Sequence, residues 1–340
     1  MATARQTGYD DANRAFLQAF MARSTLTFEE AQEILAAILS AKQNETISPE
    51  DITRDDLSNF INATNSAISP FDLEIRSHLP QLTLDDPIHN PPPDTQAQER
   101  IWALVNTTSD NLTQLATTFT ADEISFVKRV LDRMFDGNKN RIAEVMAVSS
   151  IEAVQQAKVS GEGRRESGMG TQTQGQGQTQ RTTQPLSMTQ AEVVLKQLVE
   201  DGWFEKSRKG YYSLSPRGLM ELRGWLVATY NDEEGGVRKI KFCAACRELI
   251  TVGQRCGNRD CGGRLHDHCM RNFFRVQKAE QCPVCKAPWP GDRFVGERAV
   301  VQGGQRRGGN VRRSGVAPAT QGTVNGEEDG EDAEDAEDSD

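Results

Sequence analysis

No cysteine occurs before residue 243 or after residue 285 of this 340-residue chain. A secreted disulfide framework spreads an even number of cysteines through a small domain. The seven cysteines here are odd in number and confined to one stretch, so free thiols in a reducing compartment, cytosol or nucleus, are expected. Long apolar runs are missing as well. None approaches the roughly 18 residues a membrane helix needs, and residues 2–11 are polar, without the apolar core of a secretory signal. Aromatic residues make up only 6%, which fits a chain with long stretches that build no core. A basic excess is absent too. The net charge is −10, but residues 326–340 hold ten Asp or Glu and no Lys or Arg, so the remainder sums to zero. Such a run is expected to be a solvated, disordered tail.

What is present begins with helix start signals. Thr27-Phe-Glu-Glu30 is a capping box opening a helix with Ala31, Ile34, Leu35 and Ile38 on one face. Phe16, Leu17, Phe20 and Met21 form a stripe before it. Ser48-Pro49-Glu50-Asp51 is a further start with Pro at the first helical position, leading to Leu57, Phe60 and Ile61. Two extended apolar runs follow, residues 71–75 and 101–106, separated by a loop containing Pro91, Pro92 and Pro93. Three helices and a hairpin are the order of a winged-helix domain.

The pattern then repeats. Thr120-Ala-Asp-Glu123 caps a helix carrying Ile124, Val127, Leu131 and Met134. A weaker helix is expected over residues 141–157. Thr189-Gln-Ala-Glu192 caps a third, with Ala191, Val194, Leu195 and Leu198 on one face. Residues 203–206 and 211–214 flank the basic turn Ser207-Arg-Lys-Gly210 as a wing would, and Ser215-Pro216 starts a closing helix with Leu219, Leu222 and Leu226. Residues 160–185, rich in Gly, Gln, Thr and Arg, cannot form a core and are expected to be a disordered insertion. Residues 303–325 form a second flexible linker.

The expected fold class is therefore α+β and multidomain. A first winged-helix domain covers residues 8–108 and a second 109–230, with its insertion at about 160–185. A small zinc domain covers 238–298, and a disordered linker with the acidic tail covers 303–340.

The zinc domain carries the chemistry. Its spacings are C-x₂-C, C-x₄-C, H-x₂-C and C-P-x-C. Thiolates and a neutral imidazole are the ligands tetrahedral zinc prefers, and a two-residue gap lets both side chains of a knuckle reach one ion. Cys243, Cys246, Cys256, Cys261, His266, Cys269, Cys282 and Cys285 suit two zinc ions. In a cross-braced pairing, Cys243, Cys246, His266 and Cys269 share one ion and the other four share the second; two sequential sites are the alternative. Few apolar residues lie here, which favours interleaved metals as a substitute for a core. Four protein ligands per ion leave no open position, so the metal is structural. His266 is preferred over His268, which adjoins Cys269. His78 and His89, with no ligand cluster nearby, are expected at the surface or in loops. Residues 238–298 hold thirteen Lys or Arg against six Asp or Glu, a basic surface suited to an acidic partner or DNA, and the separate Arg208-Lys209 wing is suited to weak DNA contact. Within residues 190–200, Lys196 alone could contact a base, which speaks against sequence-specific DNA reading.

The Cys₄-His-Cys₃ order with its Cys282-Pro283-Val284-Cys285 ending resembles a RING variant. A PHD finger would carry an aromatic residue where Glu280 stands. Together with two winged-helix patterns, Ala-Pro-Trp289-Pro290 and Trp102-Ala-Leu-Val-Asn106, the chain resembles the non-structural maintenance of chromosomes element 1 family of the SMC five/six complex. The resemblance covers roughly residues 8–298. It implies a RING-type E3 ubiquitin ligase that has no nucleophile of its own and activates a charged E2. The implied partners are a MAGE-domain subunit (element 3), the other complex subunits, an E2 and ubiquitin; the implied setting is nuclear, chromosome-associated recombination repair. By position, an E2 would dock on Ala244, Ala245, Phe273, Phe274 and Pro283, with Lys286 reaching ubiquitin. Ala245 departs from the larger aliphatic often found there, forfeiting about 1–2 kcal/mol of apolar burial. An assembly subunit whose zinc domain only docks proteins is the competing reading.

Overall fold

Reciprocal capping boxes set the first helices. The computed structural model describes residues 8–23, 25–81, 99–107, 115, 118–137, 143–158, 184–231 and 238–300. Asp10 and Asn13 cap α1 (Asp11–Ala22), a start signal the sequence reading did not pick out, and Thr27 and Glu30 cap α2 (Phe28–Gln43), as the pattern predicts. Ser48 opens only a single 3₁₀ turn, Pro49–Asp51. The α-helix that follows, α3 (Arg54–Ile68), starts from a second box between Thr53 and Asp56. Between the two caps Ile52 is extended and buried; the chain straightens there to turn that side chain inward. Strands β1 (Leu73–His78) and β2 (Ile101–Asn106) pair antiparallel from Leu73 opposite Asn106 to His78 opposite Ile101. Phe71, expected in the first strand, lies instead in an exposed 3₁₀ turn that ends at Asp72 with φ 59°. Phe16, Phe20, Leu35, Leu57, Ile61 and Ile75 form the core of this part, while Met21 of the expected stripe is exposed.

The second part starts at α4 (Ala121–Phe135), boxed by Thr120 and Glu123. The helix expected over residues 141–157 is only its second half. Glu144 and Met146 sit in the left-handed region, at φ 54° and 49°. The chain then makes strand β3 (Val148–Ser149) and the short helix α5 (Ser150–Gln155), capped by Ser149 and Glu152. Helix α6 (Met188–Glu200) starts from Ser187 boxed with Gln190, two residues before the expected cap at Thr189. Strands β4 (Phe204–Lys206) and β5 (Tyr211–Leu214) flank the basic turn, and β3 adds to β5 to give the order β3-β5-β4. The closing helix is broken at Leu222 into α7 (Pro216–Glu221) and α8 (Arg223–Tyr230).

The third part contains β6 (Gly253–Arg255), β7 (Arg264–Leu265), α9 (Asp267–Gln277) and β8 (Phe294–Val295), with strand order β7-β6-β8. It does not bury its apolar residues alone. Ile240, Leu249 and Val295 belong to the same apolar cluster as Phe126, Leu131, Leu195 and Leu226 of the preceding part. Ala103 and Val105 of β2 meet Met220 of α7 in a smaller cluster. The zinc region is thus seated on the rest of the chain. Of the expected features, the Pro91–Pro93 loop, His89, the 303–325 linker and the acidic tail lie outside the described residues, as does the 160–185 insertion apart from its last two positions. Among the described residues no helix is long and apolar enough to cross a membrane.

Candidate metal centre

The eight expected ligands gather into two groups, and the groups interleave along the chain. Cys243, Cys246, His266 and Cys269 form one; Cys256, Cys261, Cys282 and Cys285 form the other, each with its ligand atoms within 4.8 Å of one another. This is the cross-braced pairing; two sequential sites would have grouped Cys243 with Cys256. In the first group Cys246 Sγ lies 3.3 Å and Cys269 Sγ 3.9 Å from His266 Nδ1. In the second, Cys256–Cys285 and Cys261–Cys282 are each 3.5 Å apart, sulfur to sulfur. A tetrahedron with Zn–S of about 2.3 Å has edges of about 3.8 Å, so the donor sets have the size and chemistry to hold two zinc ions.

The two C-x₂-C turns are built alike. Cys243 N–H donates to Glu248 O and Arg247 N–H to Cys243 O; Cys282 N–H donates to Ala287 O and Lys286 N–H to Cys282 O. Arg247 and Lys286, each directly after the second cysteine, take φ 66° and 61°. That left-handed turn folds the chain back so that both sulfurs face one point. His266 caps α9, and its Nε2–H donates to Leu249 O at 3.1 Å. A carbonyl on the far nitrogen holds the imidazole in the tautomer that leaves Nδ1 free for metal. His268 is stacked on His266, with centroids 4.9 Å apart, and belongs to neither group.

Electrostatics fit a metal-dependent second group. Burial pushes the Cys256 thiol up to about 12, while the backbone N–H of Ala287 leads in holding exposed Cys285 down to about 7. Thiolate is the ligand form; a divalent ion supplies the charge needed to deprotonate the buried member. Gly263 packs against this group, and a methyl group added there would overlap Cys282 Sγ. Gly263→Ala is expected to cost the second zinc alone, taking metal analysis from two ions per chain toward one.

The residues expected to meet an E2 are placed as follows. Ala245 and Lys286 are exposed, and Ala244, Phe273, Phe274 and Pro283 half-buried. Phe274 meets Phe273 and Trp289 edge-on, at 5.9 and 5.8 Å between centroids. Trp289 in turn donates through Nε1 to Gln254, whose amide donates to Asp267 at the start of α9. Two exposed apolar residues beside them escaped the sequence reading: Val276 on α9 and Val284 between the last two cysteines. Their signal was available, since Val276 follows Phe273 by three residues on one helix and Val284 occupies the x of C-P-x-C.

His78 corrects an expectation. It is 5% exposed, on the last position of β1. Burial holds its imidazole down to about 4. The first hairpin packs toward the metal region, which the sequence around His78 does not announce.

Residues 13–222 match the family described as the Nse1 non-SMC component of the SMC5-6 complex, and residues 243–285 match a RING-like domain. The chain belongs to the Nse1 family. It is 24% identical over 292 residues to the non-structural maintenance of chromosomes element 1 homolog of Rattus norvegicus, covering 85% of this chain and 88% of that one. The Homo sapiens homolog is 23% identical over 288 residues, covering 85% and 87%. The Saccharomyces cerevisiae protein is 26% identical over 167 residues, 48% of this chain and 47% of that one. Among solved structures, a chain of an Nse1-Nse3-Nse4 complex is similar in fold, with a TM-score of 0.58 and 19% identity, over 83% of this chain and 97% of that chain. In this chain the RING-like region sits on the preceding helices through the apolar cluster that Ile240, Leu249 and Val295 share with them.

Proposed function

We propose that this chain is a RING-type E3 ubiquitin ligase subunit of an SMC5-6 complex, nuclear and chromosome-associated, acting in recombination repair. The observation that carries the reading is the pair of interleaved donor groups, ending in Cys-Pro-Val-Cys, in a chain of the Nse1 family. Two zinc ions, one held by Cys243, Cys246, His266 and Cys269 and one by Cys256, Cys261, Cys282 and Cys285, would keep the turns around Ala245 and Val284 in place. The zinc supplies no nucleophile and no open coordination position; catalysis would consist in binding a thioester-charged E2 and orienting it. Ala244, Ala245, Phe273, Phe274 and Pro283, with exposed Val276 and Val284, are the proposed E2 surface, and Lys286 the ubiquitin contact.

The helices and hairpins of residues 8–108 and 109–230 are read as two winged-helix domains. The similar solved complex contains Nse3 and Nse4, and we assign to these domains the binding of a MAGE-domain element 3 and its companions. The exposed Ala245 favours a second reading, a zinc domain that only docks proteins within the same complex.

Purified chain incubated with E1, a panel of E2s, ubiquitin and the element 3 partner separates the two. Ubiquitin chains are expected with at least one E2. Val284→Arg, which puts a charge on the proposed apolar surface, is expected to cut that rate about tenfold or more, equivalent to about 1.4 kcal/mol, with both zinc ions retained. No product with any E2, unchanged in Cys243→Ser with Cys246→Ser, leaves only the docking reading.

A further inference from the structure

One side chain from the first hairpin reaches the metal region. Gln81 stands three residues past the end of β1. Its Oε1 accepts the backbone N–H of Thr251 at 2.8 Å, that of Val252 at 3.0 Å, and the Thr251 hydroxyl at 3.1 Å. Its Nε2 donates to Leu249 O at 2.7 Å. These bonds join residues at least 168 positions apart. Leu249 O is also the acceptor for His266 Nε2–H. A carbonyl oxygen has two lone pairs; here one serves the histidine that faces the first donor group and the other serves Gln81. The second donor group is held differently. Arg264 donates from Nη1 to Cys261 O at 2.8 Å and Gly263 O at 2.7 Å, and Glu144 accepts from Arg264 Nε at 2.7 Å. Arg223 also touches the first turn, donating to Arg247 O and pairing with Glu248. That pair is some 40% exposed on both sides, where ion pairs contribute little.

We propose that Gln81 is a positioning residue for the first metal group. By fixing the Leu249 carbonyl that orients His266, it makes retention of one zinc, and not the other, depend on the N-terminal hairpin. Partners of a metal-bound histidine's second nitrogen are worth about 10- to 100-fold in metal affinity, and Gln81 acts one step further out. The inference rests on the zinc reading above and adds a dependence that the RING-like region does not carry within itself.

The test uses the full-length, zinc-loaded chain and follows metal release to a chromogenic chelator. Cobalt-substituted protein identifies the site, because a Cys₃His ion and a Cys₄ ion differ in their ligand-field bands. In Gln81→Ala one zinc is expected to leave about tenfold faster, with the Cys₄ spectrum persisting in the half-depleted protein. Glu144→Gln is expected to act on the Cys₄ ion instead. Gln81→Glu preserves the three accepted bonds but presents a carboxylate to the Leu249 carbonyl, so release of the Cys₃His zinc is expected to stay fast. Equal acceleration of both ions in Gln81→Ala, release at the wild-type rate, or wild-type behaviour of Gln81→Glu would overturn the proposal. Fewer than two zinc ions in the unaltered chain would instead overturn the zinc reading on which it rests.

Discussion

Stripping both metal ions from the intact chain with a strong chelator is expected to unfold residues 243–299 and loosen the part before them, while leaving α1 to α3 folded. Structural zinc in small domains contributes on the order of 10 kcal/mol to folding at neutral pH. The apolar residues buried in and just before this region, among them Ile240, Leu249, Ile250, Leu265 and Val295, are too few to replace it. Three of them, Ile240, Leu249 and Val295, lie in the cluster that also holds Phe126, Leu131 and Leu226. Losing the metal therefore opens one edge of a shared core. The cluster around Phe16 and Leu35 is separate. Hydrogen exchange read by mass spectrometry checks this: protection should vanish through β6, β7 and α9, fall in α4 and α8, and persist in α2. Full protection of residues 243–285 without metal would contradict the zinc reading.

What the sequence made legible was local. Each ligand pair of the metal centre lies within five residues of its mate, and tetrahedral chemistry demands those residue types, so spacing alone led to all eight. Capping boxes are equally local, and Thr27 and Thr120 start helices where expected. Where two boxes compete, the pattern is ambiguous. Ser187 with Gln190 and Thr189 with Glu192 both satisfy it; the structure uses the first, which lengthens α6 without changing which face is buried. At Ser48 the box forms but governs only one turn, because buried Ile52 needs extended backbone.

The misses share a nonlocal cause. Residues 141–157 have enough helical character to suggest one helix, yet Glu144 takes a left-handed conformation and its carboxylate meets Arg264, 120 residues away. His78 has no local reason to be buried; the hairpin's approach to the metal region, anchored by Gln81, buries it. Cross-bracing was argued from a shortage of apolar residues, and the two donor groups interleave in that order. The shortage is met partly by metal and partly by a core borrowed from the preceding helices, and that second contribution is invisible to spacing.

Arg264 gives the other large expected effect. Its side chain is fully buried between Cys261 and His266, with Glu144 on one side and the carbonyls of Cys261 and Gly263 on the other. Burial alone would raise the Glu144 pKa, but the hydrogen bonds and charge of Arg264, joined by Lys241, hold the carboxyl down to about 2. Replacing Arg264 by Met preserves much of the volume and removes every donor. The Glu144 carboxylate is then left hydrogen-bonded to Lys241 alone, the Cys261 carbonyl loses the Arg264 donor, and the Gly263 carbonyl keeps only the Cys256 N–H. Breaking a buried ion pair from one side costs about 3–5 kcal/mol, and that loss is expected in the denaturation midpoint of the zinc-loaded chain at pH 7. Adding Glu144→Leu removes the stranded charge and should recover part of it, since apolar replacements of buried pairs are often tolerated; the Arg264 bonds lost at the Cys261 and Gly263 carbonyls prevent full recovery. The pH dependence has a fixed sign. With a folded pKa of about 2 against an ordinary 4.5, the pair's contribution is complete above pH 4.5 and declines as the pH falls toward 2. Between pH 6 and 8 the Glu144 contribution is therefore constant, and the gap between wild type and Arg264→Met should not change there. A gap under about 1 kcal/mol at pH 7 would mean that the zinc region holds its seat without this ion pair, leaving the shared apolar core around Leu249 and Val295 as what fixes it.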